Sequence, residues 1–168
     1  MNHGKYLILF LALSPHLLRS QERAVYFEAL GPSTFAGLWY DARIGGGGFG
    51  WSAGMAFIPS QTDDIGLWTK GTWTASLPVS LNYLFGKGGG HLEIGAGMHN
   101  GIMKGREGRV RWGHYFFADI GYRFQKRGGG FLFRAGLSPN FHLGGSHGIK
   151  KRNFYPYISA GWVFGGKK

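Results

Sequence analysis

Residues 72–85 read TWTASLPVSLNYLF. Trp73, Ala75, Leu77, Val79, Leu81, Tyr83 and Phe85 fall on one parity, and Thr72, Thr74, Ser76, Ser80 and Asn82 fall on the other. Alternate side chains of an extended strand point to opposite faces, so this stretch makes a sheet face that is apolar on one side and polar on the other. A helix would wind both sets around one axis and mix them.

The same phase recurs outward from this segment. In HLEIGAGMH (91–99), Leu92, Ile94, Ala96 and Met98 oppose His91, Glu93, Gly95, Gly97 and His99. WGHYFFADIGYRFQ (112–125), FLFRAGLSPNF (131–141) and FYPYISAGWVF (154–164) repeat the pattern, and shorter alternating runs occupy 24–30, 34–43 and 50–58. Eight strands are predicted, in a chain whose 168 residues suit one domain. With 32 glycines and 17 % aromatics against 16 % charged residues, the composition favours short turns and strands over helices.

The connections sort into two kinds. PSQTDDIGLWTKG after 58, NGIMKGREGRVR after 99 and HLGGSHGIKKRN after 141 each span about a dozen residues, whereas GGGGF (45–49), GKGGG (86–90) and 126–130 are tight Gly/Lys turns. Strict alternation of long and short connections is the habit of a transmembrane barrel, with short turns at one rim and longer loops at the other. Gly31-Pro32-Ser33 is short where a longer loop is usual, so the first two segments read either as a hairpin or as one bent strand.

Parity alone does not say which face is wet, because a soluble lipocalin-like barrel would alternate too. The polar face decides it. It is mostly Gly, Ser, Thr, Asn and Tyr, with charges of both signs at Glu28, Asp41, Arg43, Glu93, Asp119, Arg123 and Arg134. A face bathed in bulk water would carry many lysines and glutamates, whereas a narrow interior favours small residues and compensated charges. The opposite face is uncharged and aromatic, with Tyr83, Phe85, Trp112, Tyr122, Phe124, Phe131, Phe154, Trp162 and Phe164 toward strand ends, as in interfacial girdles. The apolar face is therefore assigned to lipid and the polar face to a side-chain-filled lumen without an open pore.

Residues 1–21, MNHGKYLILFLALSPHLLRSQ, place a short basic segment before the apolar run Tyr6–Leu13. That run is too short to span a bilayer and suits a cleaved secretory signal peptide, leaving a barrel over 22–168. The absence of cysteine excludes disulfides and thiolate chemistry. The formal charge of +11 arises from the connections, at Lys87, Lys126, Arg127, Arg106, Arg109, Arg111, Lys150, Lys151 and Arg152. Arg106, Arg109, Arg111, Lys150, Lys151 and Arg152 would face outward, where they suit lipopolysaccharide phosphates. Charge confined to membrane-flanking loops argues against nucleic acid.

At this point the chain resembles small eight-stranded outer-membrane β-barrel proteins of Gram-negative bacteria. The resemblance is carried by SLPVSLNYLFGKGGGHLEIGAG (76–97), GYRFQKRGGGFLFRAG (121–136) and YPYISAGWVFG (155–165). Gly161-Trp162-Val163-Phe164 is similar to the aromatic-x-aromatic signal read by the barrel assembly machinery, although Gly165 to Lys168 follow its final aromatic. The resemblance implies an all-β, antiparallel, membrane-embedded monomer of the cell outer membrane, with outer-membrane lipid and the assembly machinery as partners. It does not specify an activity, and a structural or interaction role without a cofactor is expected.

Three features of the sequence could carry chemistry instead. His91 and His99 lie eight residues apart along one strand, about 26 Å, and cannot share a metal. His91 with Glu93 lacks further ligands, so no metal is expected. Gly45–Gly50, GGGGFG, has the composition of a phosphate loop, but the strand pattern from Trp51 replaces the helix such a loop needs. Some small barrels modify lipid A by acyl transfer or deacylation, and such a site needs a nucleophile or base with an orienting partner. His114, Ser146 and His147 are the available groups, and no His-x-Ser lies on one strand face. No catalytic residue is assigned; a lipid A modifying enzyme and a soluble ligand-binding barrel stand as alternatives.

Overall fold

A computed structural model describes residues 22–58, 73–104, 109–126, 128–142 and 155–165. Nine strands run in chain order: β1 (Arg23–Leu30), β2 (Ala36–Arg43), β3 (Phe49–Ile58), β4 (Trp73–Phe85), β5 (Gly90–Lys104), β6 (Val110–Gln125), β7 (Gly129–Leu137), β8 (Asn140–His142) and β9 (Pro156–Phe164). Both β7 and β8 pair with β6. They form one stave interrupted at Ser138-Pro139, where proline has no N–H to give the ladder. Every pairing is antiparallel, and β1 with β9 together with β5 with β6 closes eight staves into a barrel.

The stagger can be read from the register. Starting at His91, paired positions run through Arg123, Arg134, Ser159, Glu28, Gly37, Ala56 and Ser76, and return to β5 at Gly101, ten residues further on. Such a stagger tilts the strands, by roughly 35–45° in barrels generally, and leaves a bore that side chains can fill. Residues far apart in sequence are thereby brought to one level of the interior.

Side-chain exposure follows the parity. Phe27, Leu38, Met55, Leu77, Leu81, Ile120, Trp162 and Phe164 are exposed on the outside, while Glu28, Trp39, Ser76, Asn82, Glu93, Arg123 and Arg134 are buried inside. The outer face of a barrel that buries arginine and exposes phenylalanine is apolar, the reverse of a water-soluble surface.

Two expectations fail against the ladder, and one open alternative is resolved. The connection expected from residue 100 onward is mostly strand, because β5 continues to Lys104 and β6 begins at Val110. Asn100 and Gly101 pair with His114 and Gly113 inside the ladder. Consequently His99 does not mark a strand end: it is buried mid-strand and stacks on Tyr115, with ring centroids 4.5 Å apart. Gly97 makes room beside it, since a Cβ there would meet the Phe117 ring at 2.3 Å. Lastly, β1 and β2 form a true hairpin, closed by a 3-10 turn at Gly31–Ser33. Leu30 (φ 63°) and Thr34 (φ 62°) occupy the left-handed region to make it, a local strain that the surrounding contacts must outweigh. Gly31, Pro32, Ser33 and Thr34 are all buried, so this short turn folds into the barrel mouth. The proposed signal peptide, residues 1–21, lies outside the described residues.

Candidate functional site in the barrel interior

Six buried charges make a continuous chain across the bore. Glu28 accepts from Arg134 (3.0 Å), which also donates to Glu93 (2.7 Å). Glu93 accepts from Arg123 (3.4 Å), Arg123 donates to Asp41 (2.9 Å), and Asp41 is paired with Arg43. Three acids and three bases alternate, so every guanidinium lies against a carboxylate and the chain is neutral. Such pairing is what makes buried ions tolerable, since attraction in a low-dielectric interior offsets desolvation only when geometry and hydrogen bonding are good.

The remaining valences are filled by short polar side chains on neighbouring staves. Glu28 accepts from the Ser33 N–H (3.1 Å), the Ser33 hydroxyl (2.8 Å) and Ser159 (3.1 Å). Asn82 bridges Arg43 to Asp41, and Arg123 Nε donates to Gln125 (2.8 Å), which donates to Glu22 (2.6 Å) at the turn rim. Arg134 is sandwiched by the rings of Tyr26 and Tyr157, 4.6 and 5.1 Å from their centroids. The sequence pattern marks neither Ser33 nor Tyr26 as a partner of these charges. Ser33 is reached only because the hairpin turn bends inward.

Toward the loop rim the interior becomes aromatic. Trp39 donates to Ser33 Oγ (2.7 Å) and stacks on Tyr26. His99 packs between Tyr115 and Phe117 with Nδ1 at 3.2 Å from Ser76 Oγ, and Tyr155 donates to the Thr34 carbonyl. Below the ion chain, Ala24, Leu132 and Val163 are buried at the turn rim. Among the described residues, buried side chains lie at each of these levels of the bore.

Asp119, expected among the interior charges, is buried but takes no part in the ion-pair chain. His91 pairs in register with Arg123, while Glu93 is already held by two arginines and is unsuited to serve with it as a metal ligand. Of the basic loop residues, Arg109 is exposed ahead of β6 and Arg111 is its second residue; Arg106, Lys150, Lys151 and Arg152 lie outside the described residues. His114 is exposed on the outer face, and Ser146 and His147 lie outside the described residues.

No protein-family model matches the sequence, and no curated protein matches it either. Solved structures do. Neisserial surface protein A superposes with a TM-score of 0.53 at 12 % identity, over 87 % of this chain and 96 % of that one. Ail, the attachment invasion locus protein of Yersinia pestis, gives 0.44 at 13 % identity, over 86 % and 97 %. Neisserial surface protein A is a small eight-stranded outer-membrane barrel. With its closed antiparallel ring of eight staves and apolar outside, the chain described here has the fold of a small outer-membrane β-barrel.

Proposed function

We propose that the protein is exported to the outer membrane and serves there as a structural or interaction protein, not as a pore or an enzyme. The observation that carries this reading is the ion chain from Glu28 to Arg43, which crosses the bore with each guanidinium paired. Opening a channel would require several buried pairs to separate, and each lost partner leaves an uncompensated charge. Interaction would then fall to the outward loops, whose basic residues suit the phosphates of lipopolysaccharide. In this reading the chain acts as a monomer, its first 21 residues are removed on export, and its last strand engages the assembly machinery.

Purified protein reconstituted into planar bilayers is expected to give no discrete conductance steps, and to change gel mobility on heating as a folded barrel does. Reproducible single-channel openings would overturn the plugged interior; recovery from cells as a detergent-free soluble monomer would overturn the membrane assignment. Lipid A from expressing cells should keep its acyl number, and a changed number lost on His114 or His147 substitution would make the protein an enzyme.

A further inference from the structure

Among the described residues the interior holds four buried carboxylates and three buried guanidiniums, and Asp119 is the carboxylate outside the ion pairs. Its surroundings are oxygen-rich. Ile120 pairs with Leu137, and the Ala118 N–H donates to the Pro139 carbonyl (3.0 Å), so Asp119 and Ser138 face one another between them. Directly opposed inward side chains of antiparallel strands stand about 5 Å apart at Cβ.

A third oxygen comes from the adjoining stave, where Tyr157 pairs in register with Gly136. Tyr157, on β9, lays its phenol over Gly121 and Gly136: a Cβ at those glycines would lie 2.4 and 2.8 Å from Tyr157 Oη. Gly121 and Gly136 are the next inward positions after Asp119 and Ser138 on the same two staves, so the phenol oxygen lies over the positions adjoining that pair. Asp119 Oδ1, Ser138 Oγ and Tyr157 Oη are all buried without a hydrogen-bond partner, on residues no more than 5 % exposed. Arg134, the nearest cation under the Tyr157 ring, has Nε and Nη1 engaged by Glu93 and Glu28.

A buried carboxylate with no counter-charge is costly, and so is a buried hydroxyl with no partner. One bound positive charge would remove both penalties. We propose that the interior binds a single small monovalent cation of the sodium type, held by Asp119 with Ser138 and Tyr157. An oxygen-only donor set suits a hard cation, and one unpaired carboxylate suits a single charge. The site lies between the ion chain and the aromatic layer, so it would make the barrel's rigidity depend on the salt it folds in.

The test uses the full folded barrel in detergent, with sodium chloride compared against choline chloride at equal ionic strength. Sodium is expected to raise the thermal unfolding midpoint saturably, by about 3 °C or more at high occupancy. Asp119→Asn should abolish the difference between the two salts, and Ser138→Ala or Tyr157→Phe should shift the sodium titration to several-fold higher concentration. Equal midpoints in the two salts for the unaltered chain would overturn the proposal, as would a difference that Asp119→Asn retains. If acidification in choline chloride stabilises the barrel and sodium does not, a proton satisfies Asp119 and the proposal fails. Should Asp119→Asn not fold, the other two variants decide it: a sodium response unchanged in both refutes the site.

Discussion

Glu93→Ala is expected to destabilise the folded barrel by about 3 kcal/mol or more, the scale of breaking a buried ion pair from one side. Glu93 is the centre of the ion chain and serves two guanidiniums at once, Arg134 at 2.7 Å and Arg123 at 3.4 Å. Neither arginine can turn to water, because both are buried. Each keeps one acid after the change, Arg123 through Asp41 and Arg134 through Glu28, so the loss should not reach the sum of two broken pairs. A suitable comparison is Glu22→Ala, which removes one partly buried bond to Gln125 at the rim and should cost under about 1 kcal/mol. Urea unfolding in lipid vesicles, followed by the fluorescence of the tryptophans and by heat-modifiable gel mobility, measures both. Equal, small effects for the two variants would show that the ion chain does not hold the bore closed.

The residues of that chain were legible in the sequence because parity is a local property: a charged side chain in phase with Ser80 or Asn82 must point inward wherever the barrel closes. Their partners were not legible. Arg134 and Glu28 lie 106 positions apart and meet only because β9 pairs with both β7 and β1 in a register that sets Arg134, Ser159 and Glu28 at one level, and no local pattern encodes that register. The end of β5, which the sequence pattern places at His99 and the ladder at Lys104, has a different cause. Asn-Gly is a strong hairpin signal, yet at 100–101 both residues are held in the ladder by His114 and Gly113, so pairing overrides the local preference. Likewise Gly31-Pro32-Ser33 looks too short for a loop, and what makes it sufficient is the pair of left-handed residues flanking it, a conformation that Leu and Thr do not advertise. Asp119 illustrates both limits. Parity put it inside, and register set it opposite a serine in place of an arginine.

Leu81→Arg is the substitution that separates a barrel in lipid from one in water. Leu81 is exposed on the outer face, where it pairs with Trp51 on one side and Ala96 on the other, and Ala96 in turn pairs with Ala118. Tyr83 and Phe85, also exposed, lie between it and the turn rim. Four residues in from the turn rim, with Tyr83 and Phe85 between, Leu81 stands toward mid-depth in the apolar band. An arginine near the bilayer midplane costs about 2–4 kcal/mol, and one near the interface about 0–1 kcal/mol. Phe85→Arg at the rim should therefore be far milder than Leu81→Arg, although both positions are comparably exposed. Were the outer face solvated, depth would have no meaning, and an exposed leucine replaced by arginine would shift stability by only about 0.5 kcal/mol at either height. Folding free energies in vesicles give the answer directly: a steep dependence on distance from the rim requires hydrocarbon around the barrel, and two equal, small values would place the apolar face against something other than lipid.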